Sequence, residues 1–349
     1  MRKFELQDPN KFIKDFIKEV AKAKKRVWIQ TMYFEVGNKT KIFEEALIKA
    51  VKKGIDVRVV IDWSTRRHIK EKIHLMPILP IRSKNREELK VLTRRSEKIL
   101  EKLEEAGIKV ILANQPGVNG HIVPFLKRSH AKIFIVDNLF WTGGINLTDA
   151  AFDNIDFMIK FKHQKLIDSI SKQFPQLSKK ETKNYLFDVD DNYRLLIDNG
   201  RYNKSIIYNH AVKMVERAKK EIVFVSQYVP DGILLKKLVQ KAKERVNVII
   251  ITSHREHKVF TKFPYTPLYK RLRSKIKYNP YIKLVHCSKK VHAKLLEVDK
   301  KEVIFGSHNF VKTTVWVGTQ EISIHSKDEK LIRILDEFAK NLYKDYEIK

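Results

Sequence analysis

Two strings in this chain carry the same chemistry: HAKIFIVD at 130–137 and HAKLLEVD at 292–299. Each sets a histidine, a lysine two residues on and an aspartate seven residues on. Each then runs into a glycine turn containing asparagine, GGIN at 143–146 and GSHN at 306–309. An imidazole titrating near neutrality can act as a nucleophile or a general acid. A lysine ammonium beside it supplies charge for a phosphate oxygen. A glycine turn lets backbone N–H groups approach an anion, and asparagine adds a side-chain donor. His130, His292, Lys132, Lys294, Asn146 and Asn309, with Gly144 and Ser307 in the turns, therefore form a set suited to phosphoryl transfer. One histidine would attack phosphorus in line while the other protonates the leaving oxygen. Fixed ammonium groups and donors can neutralise the developing charge, so the set calls for no metal and no cofactor. Nor do the strings have metal-ligand spacing.

The pairing is selective. His-x-Lys occurs five times, at His68, His130, His163, His292 and His325, but only the strings at 130 and 292 add the aspartate and the glycine turn. On a regular strand side chains alternate faces. His130 and Lys132 then share a face and Asp137 takes the other, as do His292, Lys294 and Asp299. Asp137 and Asp299 are thus expected to fix a strand end or turn, away from the reacting atom. A histidine nucleophile also needs its far nitrogen oriented by an acid group. In each half a later strand offers one: Asp156 in NIDFMIKF and Glu321 in GTQEISI.

The elements that must position these residues repeat too. Asp8-Pro9 followed by Phe12, Ile13, Phe16, Ile17 and Val20 predicts a capped amphipathic helix. VWIQTMYF at 27–34 reads as a strand, 40–53 as a helix ended by Gly54, and IDVRVVID at 55–62 as a buried strand. AKKRVWIQTMY at 23–33 aligns with AKKEIVFVSQY at 218–228 (218 − 23 = 195), and 55–61 with VNVIIIT at 246–252. The HAK strings differ by 162 (292 − 130), because the first half has extra residues ahead of its string. Similarity in fixed order is an internal duplication. The polar stretch 173–192 holds the join, which predicts an N-terminal half at 1–185 and a C-terminal half at 186–349. The β-α-β rhythm predicts an α/β fold, each half a mixed sheet flanked by helices. If the halves face each other across a pseudo-two-fold axis, one cleft holds both histidines, both lysines and both asparagines.

Composition sets the partners. Lys and Arg number 71 against 41 Asp and Glu, a formal net charge of +30, which favours polyanions: nucleic acid, an anionic membrane or phosphorylated substrates. A solvated lysine-rich surface accounts equally well for the charge taken alone. Cys287 is the only cysteine, which precludes an intramolecular disulfide and fits an intracellular setting. No apolar run approaches the roughly 20 residues of a spanning helix, and the start lacks a signal-peptide core. The expectation is a cytoplasmic protein, peripherally membrane-associated. Two stretches stand apart. KEKIHLMPILPIRSKNR at 70–86 brackets an apolar run with basic residues, as a lid, a membrane-touching loop or a loop packed on its own core would. FTKFPYTPLYKRLRSKIKY at 260–278 interleaves aromatic and basic residues, as a single-strand channel or an amphipathic helix would.

The duplicated HxKxxxxD strings with their GG and GS turns closely resemble the phospholipase D superfamily. GGIN at 143–146 and SQYVPDGILLKKLVQKA at 226–242 resemble its cardiolipin synthase and phosphatidyltransferase branch. The resemblance implies two similar α/β halves with the active site at their interface, and a covalent phosphohistidine intermediate. It implies His130 as nucleophile and His292 as general acid, then base. Lys132, Lys294, Asn146 and Asn309 would hold the phosphate, and Asp156 and Glu321 would orient the histidines. The chain departs from the family pattern at Gly144, where a serine is usual, and at Asp156, where the longer glutamate is more common. The tyrosyl-DNA phosphodiesterase branch lacks the motif aspartates kept here at Asp137 and Asp299.

The leading expectation is a phosphatidyltransferase of cardiolipin synthase type, moving a phosphatidyl group between anionic phospholipids and held on an anionic membrane surface by its charge. The alternative is a phosphodiesterase or nuclease of the same superfamily acting on nucleic acid. A monomer carries both half-sites and suffices for one active site.

Overall fold

In a computed structural model of the chain, the structure describes residues 3–35, 37–63, 65, 94, 96–114, 127–177, 183–253, 274, 276 and 278–345. The 70–86 stretch lies outside them, as does the 260–278 stretch apart from Ser274, Ile276 and Tyr278. Contacts divide the chain into two units. The first comprises Met1–Asp153 and Met158–Thr182. The second comprises Asn154–Phe157 and Lys183–Lys349.

The first unit opens with β1 (Phe4–Gln7) and α1 (Pro9–Ala21). Asp8 caps α1 by accepting the Lys11 N–H at 2.9 Å, and Pro9 fits the first turn, where its missing N–H costs nothing. The helix buries Phe12, Ile13, Phe16 and Val20, the apolar stripe that its 3.6-residue period places on one face. Next come β2 (Arg26–Thr31), α2 (Lys41–Lys52), β3 (Asp56–Asp62), a helix α3 over 96–105, β4 (Lys109–Ala113), β5 (Ile133–Val136), β6 (Leu139–Gly143), β7 (Met158–Phe161) and α4 (Gln164–Leu177). The strands form one sheet in the order β1-β7-β6-β5-β2-β3-β4. Phe12 and Phe16 of α1 meet Phe134 of β5 edge-on at 5.2 and 5.4 Å between centroids, and Phe16 meets Trp141 of β6 at 5.5 Å. Edge-to-face contact suits the ring quadrupoles and adds about 0.5–1.5 kcal/mol per pair to the burial itself.

The second unit holds β8 (Tyr185–Asp188), β9 (Tyr193–Asn199), α5 (Ile206–Arg217), β10 (Glu221–Val225), α6 (Gly232–Lys243), β11 (Asn247–Ser253), β12 (Ile282–Cys287), β13 (Leu295–Val298), β14 (Glu302–Gly306), α7 (Lys312–Trp316), β15 (Gln320–Ser326) and α8 (Glu329–Asp345). Its sheet order is β12-β11-β10-β13-β14-β15-β9-β8. Read from β9 to β12, this is the first sheet again, strand for strand, with β8 added at the edge. β2 runs parallel to β3 and antiparallel to β5, as β10 does to β11 and β13. The α/β class and the duplicated mixed sheet expected from sequence are both present. Each unit has its own apolar core: Phe12, Val27, Ile29, Leu47, Val59 and Phe134 in the first, Ile207, Ile222, Phe224, Leu238, Ile250 and Leu296 in the second.

Candidate active site

In both units the histidine and lysine sit just ahead of a strand, and the aspartate sits just beyond it. β5 begins at Ile133 and β13 at Leu295, so the strand expected to run from His130 to Asp137, and from His292 to Asp299, covers only the four residues before the aspartate. The alternation argument therefore fails for the His-x-Lys segments, which are extended lead-ins rather than ladder strand. The aspartates do fix the strand ends, through backbone hydrogen bonds. Asp137 accepts the backbone N–H groups of Lys24, Lys25 and Arg26 at 2.8, 2.9 and 3.0 Å. Asp299 accepts those of Lys219, Lys220 and Glu221 at 2.9, 2.7 and 2.9 Å. Each lies at positive φ, 47° and 55°, closing the turn after its strand. Each thus ties the strand after the motif histidine to the start of its antiparallel neighbour, β2 or β10. Burial would raise these carboxyls, but the converging N–H groups outweigh it and hold both below the usual aspartate value.

The lead-ins position the reactive groups. Lys132 is fully buried and its Nζ donates to the His130 carbonyl at 2.6 Å. Lys294 is fully buried and makes the same bond to the His292 carbonyl. Each ammonium is thereby fixed relative to its own histidine. His292 is buried, and its Nδ1 lies 2.7 Å from Asp156 Oδ2, while Oδ1 of that carboxylate accepts the Phe157 N–H at 2.8 Å. The carboxylate fixes the imidazole through Nδ1, as an orienting acid does in hydrolase triads.

Asp156 was expected on a strand of the first half. Instead it precedes β7, in the 154–157 segment that belongs to the second unit. Ile155 bridges to Val291 there: its N–H donates to the Lys290 carbonyl at 2.9 Å, and its carbonyl accepts the His292 N–H at 2.8 Å. The sequence left open which histidine each carboxylate serves; the fold brings Asp156 to His292. Glu321 does lie on its strand, β15, and accepts the Ser307 hydroxyl.

The turns complete each half-set. Gly306 has φ +152°, and a Cβ there would lie 2.2 Å from the Ile322 carbonyl oxygen, so the close approach of β14 to β15 requires glycine. Ser307 follows, fully buried, with the Ile322 N–H donating to its oxygen at 2.9 Å. Gly144 is its buried counterpart in the first unit. Asn146 and Asn309 are nearly buried, and among the described residues the side-chain Oδ1 of each has no hydrogen-bond partner. A buried, unsatisfied amide end at the same place in both copies is a polar group set for a ligand or water.

Sequence reasoning missed three residues. Asp198 of β9 is the register partner of Glu321. Burial, against hydrogen bonds from Ser205 and Ile206 and with a smaller push from the Glu321 charge, raises its carboxyl to about 7. Asp62 and Ser253, the last residues of β3 and β11, bond to the residues just before the two histidines. Extending the 55–61/246–252 alignment by one position would have paired them.

Comparison with known proteins identifies the family. Residues 16–178 and 211–343 match the family described as cardiolipin synthase, PLD-like domain. No curated protein matches the sequence significantly. Among solved structures, phosphatidylserine synthase from Haemophilus influenzae Rd KW20 aligns with TM-score 0.73 at 13% identity, over 99% of this chain and 87% of its own. Polyphosphate kinase from Porphyromonas gingivalis aligns with TM-score 0.62 at 12% identity, over 99% of this chain and 51% of its own. At these identities the structures establish likeness of fold. The family match spans most of the chain and both copies of the motif. The chain belongs to the phospholipase D superfamily of enzymes, in its cardiolipin synthase-like branch.

Proposed function

We propose that this protein is a phosphatidyltransferase of cardiolipin synthase type, acting on anionic phospholipid through a phosphohistidine intermediate. The observation that carries this reading is the carboxylate–histidine pair Asp156–His292 at 2.7 Å, set beside a buried lysine in a motif that the chain builds twice. His130 attacks the phosphorus of phosphatidylglycerol, and His292 protonates the departing glycerol oxygen. The imidazole-bound phosphatidyl group is then attacked by the hydroxyl of a second phosphatidylglycerol, whose proton His292 removes. Cardiolipin leaves and His130 is regenerated. Lys132, Lys294, Asn146 and Asn309 hold the phosphate oxygens, with Gly144 and Ser307 shaping the turns around them. Glu321, at the place equivalent to Asp156, is assigned the same orienting role for His130. The +30 charge keeps the enzyme on an anionic surface, where each nearby basic residue contributes about 1 kcal/mol. Among the described residues, no helix is long and apolar enough to cross a membrane, which fits peripheral binding.

The test supplies phosphatidylglycerol vesicles or single-stranded DNA, each with EDTA, and identifies products by mass spectrometry. Cardiolipin and glycerol are expected from the vesicles and no cleavage of the DNA. Cleaved DNA with unchanged lipid would replace this function with that of a nuclease.

A further inference from the structure

Each motif histidine follows a residue whose backbone N–H is held from the end of β3 or β11, two places along the sheet from β5 or β13. In the first unit the Ser129 N–H donates to Asp62 Oδ2 at 2.6 Å. In the second, the Val291 N–H donates to the Ser253 hydroxyl oxygen at 2.6 Å, and that hydroxyl donates to the Val291 carbonyl at 3.2 Å. The positions correspond: 253 − 62 is 191, the offset of 246–252 from 55–61, and 291 − 129 is 162, the offset of the motif strings. Asp62, Ser129, Ser253 and Val291 are all buried. A buried N–H needs a partner, and the sheet does not supply one here, because β5 and β13 start further along.

The acceptors differ, and their surroundings differ to match. A buried carboxylate costs several kcal/mol unless it is paired. Arg128, itself 5% exposed, lies 3.4 Å from Asp62 and also donates to the Tyr33 hydroxyl at 3.0 Å. Ser253 is neutral and needs no counter-ion, and the residue at the Arg128 place is the less buried Lys290 (128 + 162). The same hydrogen bond is thus made by two chemistries, each complete in itself.

We propose that Asp62 and Ser253 are positioning residues for His130 and His292, each fixing the lead-in to its histidine by accepting the N–H of the residue before it. The catalytic side of this inference rests on the function proposed above; its geometric side does not. The test uses the full chain and compares Asp62→Ala with the double substitution Asp62→Ser, Arg128→Lys, which installs the second unit's device in the first. Asp62→Ala, Arg128→Lys serves as the matched control should the single variant misfold. Turnover of phosphatidylglycerol vesicles and the rate of His130 carbethoxylation by diethyl pyrocarbonate, mapped by mass spectrometry, are both measured. Both alanine variants should lose at least tenfold in kcat with KM within twofold, and should change the His130 modification rate at least threefold with His292 unchanged. The serine-lysine variant should recover kcat and modification rate to within threefold of wild type. Alanine variants with wild-type kcat and His130 reactivity, or a serine-lysine variant no better than its alanine control, would overturn the proposal. If wild type turns over no lipid, the proposed function fails, and the modification rates alone decide whether Asp62 positions His130.

Discussion

The two units build one scaffold twice but furnish it differently around the histidines. In the second, His292 is buried and its Nδ1 meets Asp156; Ser307 bonds Glu321; the lead-in is held by neutral Ser253. In the first, His130 is half-buried, the turn carries Gly144 where the other has Ser307, and the lead-in is held by Asp62 with Arg128. The shared parts are those that set backbone geometry: the strand order, the glycine turns, and Asp137 and Asp299 with three N–H groups each. The parts that differ include the partner of the histidine, the residue after the turn glycine and the group that holds the lead-in. Duplication accounts for the first kind; the division of attack and proton transfer proposed for the two histidines would account for the second.

The largest effect that separates the units is expected at Asp156. Asp156→Ala removes the partner of His292 Nδ1, and kcat should fall about a hundredfold or more with KM little changed. Steady-state kinetics on phosphatidylglycerol vesicles checks this. A loss seen only in KM would make Asp156 a substrate contact instead of an orienting group.

Asp137→Ala and Asp299→Ala probe what the units share. Each strands three backbone N–H groups that water can partly rehydrate, so each should cost about 1–3 kcal/mol of stability, and by similar amounts. Both carboxyls are held below their unfolded value near 4. Their contribution is therefore present above that value and is lost as pH falls through the lower folded-state value. Urea denaturation at pH 7 and at pH 3 should show the deficit of each variant shrinking at the acid pH. A deficit confined to one variant would break the structural equivalence of the turns.

A smaller effect sharpens the comparison inside the strands. Ile135 of β5 is matched by Glu297 of β13, both buried, and among the described residues the Glu297 Oε2 has no hydrogen-bond partner. Burial, then the charges of Asp336 and Glu221, push the Glu297 carboxyl up to about 8. Between about pH 4.5 and 8 the unfolded chain has released this proton and the folded one has not, so the site lowers stability as pH rises across that window. Glu297→Ile, the first unit's choice, should stabilise by about 1–2 kcal/mol at pH 8 and by less at pH 5. Thermal melts at the two pH values decide it; equal effects at both would mean the carboxyl is not the source.

Much of this was legible in the sequence. The paired strings singled out His130, Lys132, Asn146, His292, Lys294 and Asn309 because residue type and spacing carry the chemistry, and a fixed offset exposed the duplication. The helix over 9–21 was legible because cap, proline and apolar stripe agree. What was not legible depends on where the chain goes after a strand ends. Asp156 reads as part of a first-half strand, yet its segment leaves that sheet to pair with 290–293, and no local pattern encodes this. The strand from His130 to Asp137 reads as regular from its alternation and apolar content, but the buried lysine turns back to its own histidine carbonyl and the ladder starts only at Ile133.

The most direct test of the account is to trap the enzyme during turnover. The protein is mixed with phosphatidylglycerol vesicles, quenched in base, where phosphohistidine survives, and its peptides are mapped by mass spectrometry. A phosphatidyl or phosphoryl adduct on the His130 peptide, absent from Asp156→Ala under single-turnover times and from His130→Ala altogether, is the predicted result. An adduct carried by His292 instead, or undiminished turnover in His130→Ala, would contradict it.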